Sequence, residues 1–493
     1  MNTITLTLYN NLRISGAGFG LLEQIEMALT IPNPQWLKNQ RAGRYNGNTP
    51  KNLRYYRIDG DDIIAPRGFM KQAYLLGKEY GAVKIEDQRL TLPEVEFAFT
   101  GKLRDYQDEA CGETLKRDFA IIISPTASGK TIIGSYLIAK RRQPALVIVP
   151  NKRLLYQWVE EAAGFLAISP ENIGIYGDGY RKLGKSGLTI GIINTVAQYS
   201  TELAPHIGNI IVDECHHAAS PTWRQALSVF MSKYMTGMTA TLERSDGTER
   251  VVSIFIGETV HKVDPEKLKE DGYILDVEPI YRSTGFNFGD DKAHSEWKKR
   301  KPVDDPLIND RKAYSKLLKA WKNEEPITAS NSYVSMMDAL VQNPPRNRLI
   351  VQDVIAELGK QNGNAGVCLV LSERIAHCEA LSGLLQESEV KAAYLHGKMP
   401  EKAQKEVVSM MKRGEIFVVA ATGQMVGEGF DCKRLSSLFV ATPIKFSGRM
   451  KQYLGRVMRP DEGKEKPRVY DYVDSKVGVL RIQGKHRRKV YEG

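Results

Sequence analysis

The chain has 493 residues, of which 42% are hydrophobic, a formal net charge of +11, and five cysteines without a C-x-x-C pair. That length predicts roughly two to four domains, each with its own core, while no apolar run approaches the roughly 18 residues of a membrane span and no signal peptide opens the chain. The cysteine usage fits reduced thiols of a cytoplasm rather than a disulfide framework, and the basic excess points to a polyanionic partner.

Residues 1–98 read as a small, separate α+β domain. Thr3 to Tyr9 alternates like a half-buried strand, and Gly20 to Leu29 and Phe69 to Tyr80 have helical spacing. Between Glu26 and Asp59 there is no acidic residue. Lys38, Arg41, Arg44, Lys51, Arg54 and Arg57 alternate there with Trp36, Tyr45, Tyr55 and Tyr56. Asn46-Gly47 is a hairpin signal, so some of these side chains are expected on one ribbon face. Basic groups meet phosphates and aromatics stack on bases, which makes Arg41, Arg44 and Arg54 candidate nucleic-acid contacts. The plainer reading makes the aromatics a core and the charges a solvated surface.

From Leu103 to about His261, apolar strands alternate with helical segments, as in a parallel sheet covered on both faces. The strands are Ala120–Ile123, Ala145–Val149, Leu188–Ile193, Ile210–Val212 and Met235–Met238. After the first comes Ser124-Pro-Thr-Ala-Ser-Gly-Lys-Thr131, then a helix from Thr131 to Ala139. Strand, small-residue loop and helix is the setting of a phosphate-binding loop. The backbone of Thr126, Ala127, Ser128 and Gly129 would cradle phosphates. Lys130 would reach the β- and γ-phosphates, and the Thr131 hydroxyl would ligate Mg2+. Ser124 stands where the usual pattern has Gly, and it tolerates positive φ less well.

A chance Gly-Lys-Thr is the alternative, and residues 213–214 argue against it. Asp213-Glu214 ends an apolar strand, where open α/β sheets place ligands. Asp213 would hold Mg2+, and Glu214 would polarise the attacking water. His216 could couple this site to a neighbouring segment. A metal site of Cys215, His216 and His217 is the competing idea, but adjacent ligands converge poorly on one ion and no second cluster completes the set.

The alternation resumes near Gly366 with Val367–Leu371, Ala392–Leu395, Phe417–Ala420, Leu438–Ala441 and Val469–Tyr472. Between the two α/β parts, residues 285–340 are polar and lysine-rich, with helical spacing over Tyr314 to Trp321; a solvated linker and a nucleic-acid-gripping insertion both fit. The second part lacks a phosphate loop. It has a glycine-rich segment, Thr422-Gly-Gln-Met-Val-Gly427-Glu-Gly-Phe-Asp431, and then Gln452-Tyr-Leu-Gly-Arg456-Val-Met-Arg459. Arg456 and Arg459 are i, i+3 neighbours on one helical face, an arrangement suited to arginine fingers. The basic run Lys485-His-Arg-Arg-Lys489 reads equally as a nucleic-acid grip or a disordered tail.

In this order, the segments resemble superfamily 2 helicases with two RecA-like domains, over residues 103 to about 474. The resemblance implies an α/β fold of two tandem RecA-like P-loop NTPase domains, at 99–262 and 263–493, with a small α+β N-terminal domain and a mostly helical insertion. It implies ATP and Mg2+ as cofactors. It gives Arg104 and Gln107 to adenine recognition, with Gln107 reading the base edge. His216, Thr239 and Thr241 become the coupling residues, and Arg153, Thr195, Gln198 and Thr422 the strand contacts. Gly427 and Asp431 go to the nucleotide, and Gln452, Arg456 and Arg459 join Lys130, Asp213 and Glu214 in catalysis.

Gly237 to Gly247 is similar to the XPB-type branch, in which Arg-Glu-Asp follows the Thr-Ala-Thr segment; here the residues are Arg244-Ser245-Asp246, with Arg244 as a strand contact. Gly43-Arg-Tyr-Asn-Gly47 and Ile64-Ala-Pro-Arg-Gly68 are similar to the front domain of UvsW-type phage helicases. That implies single-stranded or branched DNA as partner, 3′-to-5′ polarity, recombination or replication proteins as associates, and a monomer in the bacterial cytoplasm or that of a phage host. Other readings are an RNA helicase or ribonucleoprotein remodeller, a non-catalytic nucleic-acid-binding scaffold, and the motor subunit of a restriction system, whose nuclease would need a partner chain.

Overall fold

A computed structural model describes residues 3–126, 128–242, 247–289, 296, 297, 299, 318–321, 324, 332–360, 366–427, 432–444 and 447–492. The chain divides into two units, Met1–Asp271 and Gly272–Gly493. The boundary falls beyond residue 262 because the helix Pro265–Glu270 still belongs to the first unit, with Leu268 fully buried.

The first unit opens with β1 (Ile4–Leu8), β2 (Leu12–Ser15), β3 (Thr30–Pro32), β4 (Asn52–Arg54), β5 (Arg57–Asp59), β6 (Asp62–Ala65) and β7 (Val83–Asp87). Their main sheet has the order β5-β6-β2-β1-β7, and β3 pairs with β4 separately. The expected ribbon around Asn46-Gly47 does not form. Pro34 stands in the first helical turn and the Asn33 side chain accepts the Gln35 N–H, so the helix Pro34–Arg41 starts instead. The hairpin turn is at Gly60-Asp61, joining β5 to β6.

This front domain shares part of its core with the α/β domain of the same unit. Its buried cluster includes Val251 and Ile254 of the helix Glu249–Ile256. Gly68 permits the approach: a Cβ there would lie 2.7 Å from the Gly257 nitrogen and the Ile254 oxygen. Arg67, 2% exposed, donates to the Ser232 carbonyl at 2.8 Å. Burial, with Arg89 nearby, lowers its pKa to about 9. The guanidinium carbons of Arg67 and Arg89 lie 5.3 and 5.1 Å from the Phe119 ring, at the start of the strand that leads to the phosphate loop.

That strand belongs to the second sheet: β8 (Phe119–Ile123), β9 (Ala145–Val149), β10 (Gly174–Gly177), β11 (Tyr180–Lys182), β12 (Leu188–Ile192), β13 (Asn209–Asp213), β14 (Tyr234–Thr239) and β15 (Thr259–Lys262). The order is β11-β10-β12-β9-β13-β14-β8-β15, parallel except for β11. Alternate residues feed two cores: Ile122, Val147 and Ile211 on one face, Ile121, Leu146, Ile148 and Ile210 on the other. Covering on both faces explains why these strands read as unbroken apolar runs.

The second unit has β16 (Glu278–Ser283), β17 (Val367–Ser372), β18 (Ala392–Leu395), β19 (Val418–Thr422), β20 (Leu435–Val440) and β21 (Arg468–Val473). All are parallel, in the order β16-β21-β20-β17-β19-β18. A buried ion pair ties it together: Arg346 Nε meets Asp474 Oδ1 at 2.9 Å, and Thr284 donates to the same oxygen. Most of 285–340, including Tyr314, lies outside the described residues. Within it, Trp297 and Trp321 stack with centroids 4.0 Å apart, and each indole N–H donates to the other's carbonyl. Lys485 to Lys489 lie in the helix Gly478–Tyr491, which removes the disordered-tail reading.

Candidate nucleotide-hydrolysis site

β8 and β13 flank β14 and run parallel to it, which brings the phosphate loop and the Asp213-Glu214 pair to the same, C-terminal, end of the sheet. Gly129 caps the helix Lys130–Arg141 at φ +79°, and a Cβ there would meet the Gln107 amide nitrogen at 2.6 Å. Ser124 is not among the positive-φ residues, so the glycine it replaces is not needed for backbone freedom. Its hydroxyl instead pairs with that of Ser128 at 2.5 Å, and Ser128 also donates to the Pro125 carbonyl. Thr126 and Thr131 are buried beside this frame; Ala127 lies outside the described residues.

Gln107 is buried and engaged at both ends of its amide. Its oxygen accepts the Arg104 N–H at 3.0 Å, and its nitrogen donates to the Ser128 carbonyl at 2.8 Å. Tyr106 donates to the same carbonyl at 2.8 Å. In this structure, therefore, Gln107 grips the loop itself, and Arg104 serves as the helix cap.

Asp213 is 4% exposed. One oxygen accepts the Trp158 indole N–H at 2.8 Å and the other the Glu214 N–H at 2.9 Å. Burial, then the neighbouring Glu214 charge, raises its pKa. Such a carboxylate fits a cation, which relieves both penalties. Glu214 has φ +48° and ψ 48°, a left-handed conformation that costs a non-glycine residue about 1–3 kcal/mol. Burial disfavours its charge, but Lys130, 3.8 Å away, and His216 outweigh that and hold its carboxyl below the usual range.

His216 Nδ1 is 3.3 Å from Glu214 Oε2 and 3.0 Å from the Thr239 hydroxyl, which in turn donates to the Thr241 carbonyl at 2.9 Å. The Ser124 N–H donates to the Thr239 carbonyl at 2.8 Å. Lys130, Glu214, His216, Thr239 and Thr241 thus form one connected chain. Cys215 is fully buried against Gly237, a core residue, and no metal-binding cluster of His, Cys, Asp and Glu occurs among the described residues. Sequence reading missed Trp158 and Tyr106, because a large aromatic on an amphipathic helix looks like core until its polar edge is placed.

Asn194, Thr195 and Gln198 occupy the first turns of the helix Ile193–Leu203 after β12, with Gln198 exposed and Thr195 half-buried. Arg153 stands in the first turn of Lys152–Phe165, which Asn151 caps. In the second unit, Thr422 ends β19 and Gly427 ends the helix Gly423–Gly427. Asp431 and Arg244 lie outside the described residues. Gln452 and Arg456 share the helix Ser447–Val457, but Arg459 does not continue their face: the helix stops at Val457. Pro460 explains the stop, since it disfavours helical backbone at Arg459 and has no N–H to offer, and the Lys464 ammonium group donates to the carbonyls of Val457, Arg459 and Lys433 at 2.6, 2.6 and 3.1 Å. Burial lowers its pKa to about 8.

A phosphate loop beside a paired acid on a doubly covered parallel sheet defines a P-loop NTPase. Residues 100–244 match the family "Type III restriction enzyme, res subunit", and residues 349–461 match "Helicase conserved C-terminal domain". The DNA 3′-5′ translocase XPB2 of Sulfurisphaera tokodaii is 34% identical over 34% of this chain, a segment spanning 37% of that relative. L396 of Acanthamoeba polyphaga mimivirus, which carries the name of an ATP-dependent RNA helicase, is 24% identical over 81% of this chain and 69% of its own length. The structure of S. cerevisiae Dbp5 bound to RNA and ADP BeF3 covers 80% of this chain and 88% of its own, at 12% identity and a TM-score of 0.53. That of T4 UvsW covers 100% and 97% at 17% identity and a TM-score of 0.43. The chain belongs to the superfamily 2 helicases, with two RecA-like domains, and spans 37%, 69% and 51% of the length of the first three curated relatives it matches.

Proposed function

We propose that this chain is an ATP-driven DNA helicase or translocase that moves 3′ to 5′ and remodels branched DNA in recombination, repair or replication. The observation that carries the motor part is the connected chain from Lys130 through Glu214 and His216 to Thr239. Lys130 and the loop backbone hold the phosphates, with Thr131 and Asp213 positioned for Mg2+. The metal would neutralise charge on the phosphate oxygens. Glu214 orients the attacking water. When Lys130 turns to a phosphate, Glu214 loses its counter-ion and becomes a better base, so substrate arrival arms it. Thr239 and Thr241 carry the change towards the strand-contacting segments. Gln107 and Arg104 border the adenine, and Gln452, Arg456 and Arg459 are the further catalytic candidates that the family resemblance supplies.

DNA as substrate is supported by the likeness to a DNA translocase and by the front domain. Arg41, Arg44 and Arg54 are exposed, and Tyr45 is 95% exposed, on a domain packed directly against the motor core. The RNA reading is supported by the names of L396 and of QP509L of African swine fever virus, each that of an ATP-dependent RNA helicase, the second 23% identical over 89% of this chain. Forked DNA, Holliday junctions, tailed duplexes and matched RNA, assayed for ATPase stimulation and strand displacement, separate them. The proposal expects the strongest stimulation from branched DNA; equal or stronger stimulation by RNA overturns it.

A further inference from the structure

The basic run near the end of the chain is split by the fold into two kinds of residue. The helix Gly478–Tyr491 buries Leu480, Gln483, Gly484, Arg487 and Tyr491. Arg487 is 3% exposed, and its Nε and Nη2 donate to Asp471 of β21 at 3.0 and 2.6 Å. Its charge therefore serves the fold. Arg481, Lys485, His486, Arg488 and Lys489 are all exposed. Arg481, Lys485, Arg488 and Lys489 follow the i, i+4, i+7, i+8 spacing of one helical face.

Nothing in the sequence neutralises this face from within: no acidic residue occurs between Asp474 and Glu492. Arg488 lies 4.2 Å from the Tyr281 ring centre and 3.7 Å from Glu492. Among the described residues, no ion pair involves Arg481, Lys485 or Lys489. The face runs about 12 Å from Arg481 to Lys489, a length over which duplex nucleic acid presents about seven phosphate charges.

We propose that the outer face of this C-terminal helix binds the phosphodiester backbone of duplex nucleic acid, as an anchor separate from the motor's strand-contacting segments. This rests on the reading of the chain as a nucleic-acid motor. Contacts of ammonium and guanidinium groups with phosphates carry no sequence information, so this anchor grips without sequence preference, and it holds the duplex as the motor works.

The test compares the full chain with K485A/K489A, using fluorescence anisotropy of a short mixed-sequence DNA duplex across a salt series. Removing two phosphate-binding ammonium groups lowers the slope of log K against log salt by about 1.8, with no change in unfolding temperature. R487M, an inner-face control, lowers the unfolding temperature and leaves the slope as it was. An unchanged slope in K485A/K489A overturns the proposal, as does a loss confined to anionic lipid vesicles. If DNA fails to stimulate the wild-type ATPase, the motor reading fails; if stimulation is normal and the slope unmoved, only the anchor fails.

Discussion

Asp213 and Glu214 are consecutive carboxylates with opposite environments. Asp213 is buried and held by Trp158, and burial with Glu214 beside it raises its pKa; Glu214 faces Lys130 and His216, which hold it low. On the proposed reading, environment rather than residue type divides metal holding from water activation between two adjacent acids. Among the described residues, the Trp158 N–H is the one side-chain donor that steadies the buried carboxylate. Trp158→Phe keeps the ring and removes that bond. Mg2+ titration of the ATPase should then show an affinity loss of about 10–100-fold, with kcat at saturating Mg2+ largely kept. An unmoved Mg2+ requirement would show that the indole only packs.

At the scale of elements, the front domain behaves as an extension of the motor sheet rather than a tethered module. Its short helical turn at Arg67–Phe69 lies on the helix Glu249–Ile256, with Gly68 where no side chain fits. Gly68→Ala forces backbone to move, so denaturant unfolding should show a loss of about 1–3 kcal/mol; an unchanged midpoint would mean the contact is loose. Much of this architecture was legible in the sequence. Long apolar runs fed by both cores announced β8, β9, β13, β17 and β20, because burial on two faces leaves only apolar residues. Strands such as β10, β15 and β16, short or half-exposed, carry no such signal. The Asn46-Gly47 hairpin failed because Asn33-Pro34 is a stronger local helix start. The i, i+3 pairing of Arg456 and Arg459 failed because the helix ends at Val457, ahead of Pro460, which keeps Arg459 out of helical backbone. The phosphate loop and acid pair were legible because their chemistry is local in sequence. Trp158 and the Gln107–Ser128 bond were not, being contacts between elements.

For the whole molecule, the excess positive charge is divided among distinct surfaces. One is the front-domain stretch of Arg41, Arg44 and Arg54; another is the outer face of the last helix. Binding through phosphates releases counterions, so R41A/R44A/R54A should lower the log–log salt slope by about 0.7–0.9 for each phosphate-binding arginine removed. It should also weaken binding to all sequences alike. A slope equal to wild type would make that stretch a solvated surface, as the plainer sequence reading has it.

The claim on which the rest stands is that Glu214 activates water at a phosphate-loop site. The measurement is DNA-stimulated ATP hydrolysis by Glu214→Gln, with ATP and DNA binding determined on the same preparation. Both ligands should still bind, while turnover falls by about 10²–10⁴-fold, the range for loss of a general base. Turnover near that of the wild type, with binding intact, would contradict the assignment and with it the proposed chain of coupling through His216 and Thr239.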